Sequence, residues 1–257
     1  MCELFGVSSP EKIVLNDSLK KFFSNASEHP NGWGMAFFCE NSVSVEKQPE
    51  NAANSIYLKQ RLRARIEADY MMAHIRLATK GCMDYENTHP FVLRDNYGRT
   101  WTFEHNGTIF ESEPLNKYAV LQQGQTDSER IIMYIVERIN AEQTRLMRPL
   151  DKRERFKLVE SITAEITPGN KVNFLLFDGE LLYAHSNFRG SLHYCEEGRG
   201  VLVSTRALDF RSWQLVPLNT LLAFEAGELA FKGDNHGNEY FFSEEQMKLL
   251  FLDYAAL

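Results

Sequence analysis

Two consecutive runs, "TDSERIIMYIVERINAE" (residues 126–142) and "DKRERFKLVESITAEI" (residues 151–166), repeat apolar residues at three- and four-residue spacing. Each begins on a capping or charged residue, so the middle of the chain predicts an adjacent pair of amphipathic helices. The flanking segments read differently. Before the pair come strand-like runs over residues 3–8 and 33–47, the latter a hairpin turning at "CENS", then "YMMAHIR", a turn-rich loop and "RTWTFEHNG". After Gly169 come "VNFLLFD", "LLYAHS", "SLHYCE", "GVLVST", "LLAFEAG" and "LAFKG", separated by Gly, Asp and Asn turns. A doubly wound parallel sheet needs helices between its strands, and these late strands have none. The order of elements therefore predicts an α+β chain of two sheets with helices packed over them. Further helices are expected over residues 16–30, started by Asn16 or Asp17 and stopped by Pro30, and over residues 54–69.

Composition narrows the class. The 257 residues are 44% hydrophobic, enough for a substantial core, and no composition break divides them, so residues 1–257 read as a single domain. A net charge of −7 argues against a nucleic-acid partner, and the basic stretch "KQRLRAR" reads as one face of a helix. No apolar run is long enough to span a bilayer, and the N-terminus lacks the basic-then-apolar pattern of a signal peptide, so the expected location is cytoplasmic with no membrane partner. The four cysteines (Cys2, Cys39, Cys82, Cys195) are far apart, without a C-x-x-C pair, which argues against a zinc site and a disulfide framework. Cys39 and Cys195 sit in strand-like runs and read as core thiols.

Cys2 is different. A small residue in second place is the usual condition for removal of Met1, which would leave a thiol and a free α-amine on one residue. With reference pKa values of about 8.5 and about 7.7–8.0, the amine can help deprotonate the thiol near neutral pH. The other reading of a lone Cys is a small buried hydrophobe. Four more sites carry chemistry and an ordinary alternative each. Arg76, after the strand "YMMAHI", is either a solvated surface charge or a fork for a carboxylate. Asn106 and Gly107 are either a two-residue hairpin turn or a pair of donors aimed at one oxygen. Asp127 suits a helix start capped by Thr126 and Glu129, and equally an ammonium; the two are compatible. His89, extended by the proline after it, is either a hydrogen-bonding loop residue or a base.

Together these make the parts of one reaction on an amino acid with an acyl group at the end of its side chain. In order and spacing, "MCELFG", "HPNGWGMAFF", "AHIRLATKG", "NTHPF", "EHNGTIF" and "QTDSE" resemble the class II glutamine amidotransferases, N-terminal-nucleophile (Ntn) hydrolases, over essentially the whole chain. Within them the chain looks like the stand-alone YafJ-type members related to the γ-glutamyl amidohydrolase of ergothioneine synthesis. The resemblance implies a four-layer αββα sandwich of two antiparallel sheets. It implies Cys2 as nucleophile with its α-amine as base, Asn106 and Gly107 as the oxyanion hole, Arg76 on the substrate α-carboxylate and Asp127 on its α-ammonium, with Thr79 lining the pocket. Gly34 in "NGWG" is expected to bring backbone close to Cys2, with an ordinary turn as the alternative. No metal or organic cofactor is implied. Leu77 and Lys80 stand where synthetase-linked relatives commonly carry Trp and His, which sets ammonia channelling apart from the rest of the pattern. Three functions follow: a γ-glutamyl amide hydrolase, an ammonia-supplying subunit of a separate synthase, and an amino-acid-binding regulatory protein without turnover.

Overall fold

The structure, a computed structural model, describes residues 2–39, 42–78, 81–244 and 246. In chain order its strands are β1 (Glu3–Val14), β2 (Trp33–Cys39), β3 (Ser42–Gln48), β4 (Glu67–Ile75), β5 (Phe91–Arg94), β6 (Thr100–His105) and β7 (Phe174–Phe177). They continue as β8 (Leu182–His185), β9 (His193–Glu197), β10 (Gly200–Ser204), β11 (Gln214–Leu215), β12 (Leu222–Glu225) and β13 (Glu228–Lys232). The helices are α1 (Asn16–Phe23), α2 (Ile56–Arg61), α3 (Glu113–Asn116), α4 (Asp127–Leu146) and α5 (Lys152–Ile166). One sheet runs β11-β9-β10-β1-β4-β2-β3 and the other β13-β12-β8-β7-β6-β5, with antiparallel neighbours throughout.

Three apolar layers separate four structural ones. Phe5, Trp33, Met71 and Ile75 on the outer face of the first sheet meet Leu19 and Phe22 of α1 and Leu58 of α2. Leu4 and Met72 on its inner face meet Leu175, Phe177 and Leu182 of the second sheet. The far face of that sheet packs Phe103, Phe174 and Leu176 against Ile131 and Ile135 of α4 and Phe156 and Val159 of α5. The result is the αββα sandwich that the sequence resemblance implied. Because each central strand is covered on both faces, its residues are apolar in unbroken runs such as "FLLF" rather than alternating, although the sheets are antiparallel.

The helix pair forms as its periodicity predicts. Thr126 caps α4 by accepting Glu129 N–H at 3.3 Å, and Asp151 with Glu154 makes a complete capping box on α5. Six local expectations change. Strand β1 runs to Val14 rather than residue 8, with a register shift between Ser8 and Ile13. The helix expected over 54–69 stops at Arg61, because Ile66 onward is captured by β1: Leu15 N–H donates to Ile66 carbonyl at 2.9 Å and Val14 pairs with Glu67. Helix α1 ends at Phe23, followed by one 3₁₀ turn over Ser24–Glu28. Asn16 is no cap; its side chain instead binds Leu62 and Ala64 carbonyls and Ile66 N–H, stapling α1 to the start of β4. Strand β5 arises inside what reads as loop. Cys195 is buried, as expected, but Cys39 is exposed: β2 pairs with β4 only as far as Phe37, so Cys39 outruns the cover of the sheet. No helix among the described residues is long and apolar enough to cross a membrane.

One inner-face residue of β6 is a carboxylic acid. Glu104 pairs with Leu175, a residue of the central layer, and neither of its carboxyl oxygens has a hydrogen-bond partner among the described residues. Burial pushes this carboxyl well above its usual 4.5, so the folded chain keeps it protonated where the unfolded chain ionises it. The unfolded state then binds fewer protons, and the contribution of this group to stability falls as pH rises above about 4.5, by up to about 1.4 kcal/mol per pH unit. Glu104→Gln removes that penalty. Urea titrations are expected to show the variant gaining more stability over wild type at pH 7 than at pH 5; an equal change at both would mean the carboxyl is ionised in the fold.

Candidate functional site

The site starts from strand register. Glu3 pairs with Ile75 and Leu4 with His74, and continuing that antiparallel register sets Cys2 across from Arg76. Cys2 Sγ lies 3.4 Å from both the amide nitrogen and the carbonyl oxygen of Leu77. Burial pushes the thiol up from its ordinary pKa, while Leu77 N–H and the positive charges of Arg76 and Lys171 pull it back.

Arg76 is not a surface charge; it is 2% exposed. Its main chain is clamped by the residues preceding β2, with Arg76 N–H on Gly32 carbonyl at 2.8 Å and Asn31 N–H on Arg76 carbonyl at 3.1 Å. Its guanidinium donates to Cys82 carbonyl at 2.9 Å and Gly81 carbonyl at 3.1 Å. That loop is docked onto the lead-in to α4: Cys82 N–H donates to Gln125 Oε1 at 3.1 Å, and Gln125 N–H to Asn87 Oδ1 at 2.7 Å. A short chain of hydrogen bonds thus runs from Arg76 to within two residues of Asp127.

Asp127 opens α4 and is buried, with Oδ2 accepting Ile109 N–H at 2.7 Å. The carboxylate therefore holds the segment that leaves Asn106 and Gly107. Those two follow β6 and do not form a hairpin, because β6 pairs with β5 and β7 and the chain runs on into a bridge between Thr108 and Lys171. Asn106 is fixed by its N–H on Asn173 carbonyl at 2.8 Å and by Asn173 Nδ2 on its own carbonyl at 3.0 Å. Gly107 has no room for a side chain: a Cβ there would lie 1.9 Å from Lys171 carbonyl oxygen and 2.3 Å from His105 Nε2.

Three buried histidines join the sheets at this end. His74 Nε2 donates to His105 carbonyl at 3.2 Å, a bond from β4 to β6 across the sandwich. His105 donates from Nε2 to Lys171 carbonyl at 3.3 Å and accepts Ser128 Oγ–H at Nδ1 at 3.0 Å. His89 stacks on His74 with ring centroids 4.1 Å apart, and neither of its ring nitrogens has a hydrogen-bond partner among the described residues, unlike the bonded loop histidine that sequence suggested. Burial lowers all three pKa values, His74 to about 3, so they are neutral at physiological pH and add no positive charge to that of Arg76 and Lys171 near Cys2.

Gly34 needs a correction. The nearest atoms a Cβ would meet there are His89 carbonyl oxygen at 2.1 Å and Pro90 Cδ at 2.9 Å, so the crowding that requires glycine comes from the His89–Pro90 segment rather than from Cys2. Thr79 lies outside the described residues. His74, His105, Lys171 and Asn173 were not singled out from sequence. Their signal was available: a histidine interrupting the apolar run "YMMAHI", and a Lys and an Asn immediately ahead of the buried strand "FLLF".

Comparison with known proteins fits this geometry. The profile of the family described as glutamine amidotransferases class-II matches residues 1–197. The chain is 31% identical to YafJ of Escherichia coli, a protein named as a glutamine amidotransferase, over 72% of each chain. It is 30% identical to a Haemophilus influenzae protein of like name, over 76% of this chain and 65% of that one. A solved structure from Pseudomonas aeruginosa, titled a glutamine amidotransferase, superposes with a TM-score of 0.62 at 20% identity, covering 90% of this chain and all of the other. That likeness speaks to the fold, which is the Ntn-hydrolase sandwich. With the family profile spanning most of its length and the sandwich to match, this chain belongs to the class II glutamine amidotransferases.

Proposed function

We propose that the protein hydrolyses the γ-amide of glutamine or of a γ-glutamyl compound through a thioester on Cys2. The observation that carries this reading is the placement of Cys2 opposite Arg76 in the β1–β4 register, in a chain of this family. Removal of Met1 frees the α-amine, which takes the thiol proton as Sγ attacks the amide carbon. Negative charge develops on the former carbonyl oxygen, where the Asn106 side-chain amide and Gly107 N–H serve as donors. Collapse breaks the C–N bond, and the leaving nitrogen takes its proton from the α-ammonium. Water then hydrolyses the γ-glutamyl thioester. Arg76 holds the substrate α-carboxylate, Asp127 its α-ammonium, and Thr79 lines the pocket. The substrate is a small molecule, and a separate synthase that consumes the released ammonia is the alternative destination for the same chemistry.

The nucleophile is tested directly. Cys2→Ser is expected to abolish glutaminase turnover with the circular dichroism spectrum unchanged, and a glutamine-like diazo-ketone is expected to label Cys2 and spare Cys39, Cys82 and Cys195. Labelling spread over all four thiols would sink the assignment. Processing and labelling without turnover by the isolated protein would favour the ammonia-supplying subunit, and retained Met1 without turnover the binding protein.

Recognition of the amino-acid head is tested by matched truncation. Arg76→Ala and Asp127→Ala are each expected to cost roughly 30- to 4000-fold in kcat/KM, the cost of removing one partner from a desolvated charge pair. Deleting the substrate α-carboxylate should hurt wild type and add little in Arg76→Ala, and deleting the α-amine should behave likewise for Asp127→Ala. Equal sensitivity of both variants to both truncated substrates would mean the head is not held this way.

A further inference from the structure

A cavity of about 720 Å³ lies where the edge strands β3 and β5 meet helix α4. Its size is usual for a small-molecule site, and none of Cys2, Arg76, Asn106, Gly107 and Asp127 lines it. The floor is apolar, built from Phe91 of β5 and from Ile132, Met133 and Val136 of α4. Lys47 reaches into it from β3. Its Nζ donates to Thr88 carbonyl at 2.7 Å and to Pro90 carbonyl at 3.4 Å, and lies 4.5 Å and 5.6 Å from the ring centroids of Tyr85 and Phe91. Two carbonyls and two rings therefore fix the position of this cation. An ammonium has three donors, so one is left over, and no carboxylate among the described residues lies within ion-pair distance of it. The acids that line the cavity are engaged elsewhere or exposed. Glu129 accepts Gln123 and Gly124 N–H at 2.7 and 2.8 Å, Glu137 is held by Lys117 and by Tyr118 hydroxyl, and Glu86 is exposed, as is Arg94, the other lining cation.

We propose that this cavity is a second ligand site, separate from Cys2, that takes a small carboxylate with an aliphatic or aromatic body. The body lies on Phe91, Ile132, Met133 and Val136, and the carboxylate accepts the remaining Lys47 donor. A charge-assisted bond in this half-buried setting is stronger than the same bond in water, and the apolar floor holds the rest of the molecule. One free donor suits one negative charge. A phosphate dianion would bring a second charge beside Glu86 and Glu129 with no cation fixed to receive it.

The test is calorimetric titration of the full chain with phenylbutyrate and with its uncharged match, phenylbutanamide. Saturable binding of phenylbutyrate is expected at millimolar concentration or below, with the amide about tenfold weaker, the worth of one hydrogen bond to a charged group. Lys47→Met keeps the length of the side chain and removes the charge, and is expected to bring phenylbutyrate down to the affinity of the amide. Met133→Asp, which places a negative charge on the floor, is expected to abolish binding of phenylbutyrate. No saturable binding, equal affinity of wild type for acid and amide, or tighter binding of phenylpropyl phosphate would overturn the proposal. So would a concentration-dependent dimer broken by Met133→Asp, which would give the cavity to a second copy of the chain. Should Lys47→Met not fold, the contact is read in wild type by acetylation with acetic anhydride and peptide mapping. Phenylbutyrate is expected to protect Lys47 several-fold and to leave the exposed Lys20 unprotected, and equal labelling of Lys47 with and without phenylbutyrate would overturn the proposal. Because each readout is binding or labelling, the outcome is independent of turnover at Cys2.

Discussion

The antiparallel pairing of β1 with β4 is the constraint on which the rest of the site depends. It places Phe5 opposite Ala73 and Leu4 opposite His74, so the same register that sorts apolar side chains onto the outer and inner faces also sets Cys2 against the residues after Ile75. A slip of β1 by one residue would send Phe5 and Val7 into the central layer and turn Leu4 outward, exchanging both faces of a strand that is buried on both. Core packing and nucleophile placement are therefore specified by one set of hydrogen bonds. The register shift between Ser8 and Ile13 lies well down the strand and leaves the Cys2 end of the ladder regular.

Polar groups enter this sandwich mainly at its two ends, and the two are built differently. At the far end of β7, Arg155 donates from Nε to Asp178 at 2.6 Å, Tyr183 hydroxyl donates to the same carboxylate at 2.8 Å, and Arg155 reaches Glu180 at 2.6 Å. Buried charge there is matched by opposite charge and ties α5 to the sheet. At the Cys2 end the polar residues are histidines kept neutral by burial, bonded to carbonyls and stacked on one another. Neutral imidazoles provide rigid cross-links without adding to the charge of Arg76, Lys171 and Asp127.

Several assignments were legible because local chemistry and tertiary role coincide. The helix pair is visible in its periodicity and caps, and the late strands in their unbroken apolar runs. Other features were hidden because their cause is remote in sequence. Asn16 looks like a cap and acts as a staple to residues near position 64. The run over 54–69 looks helical throughout, yet its last residues are taken by β1, since ladder bonds to a buried strand outweigh the weak helical preference of a short exposed segment. Gly34 and Gly107 both signal close approach, but sequence alone cannot say what approaches; it is His89 in one case and Lys171 with His105 in the other.

The sequence by itself determined the element order, the α+β class, the family resemblance and the identity of the groups able to do acyl chemistry, because these depend on residue type and local spacing. Tertiary structure decided which of those groups meet. It chose buried over solvated for Arg76 and a run-on connection over a hairpin for Asn106 and Gly107, and it brought in His74 and His105, whose hydrogen bond reaches across from one sheet to the other. The physical reason is that charge, burial and hydrogen-bond partners at this site come from residues dozens of positions apart, and only the register of two facing sheets fixes the distances between them.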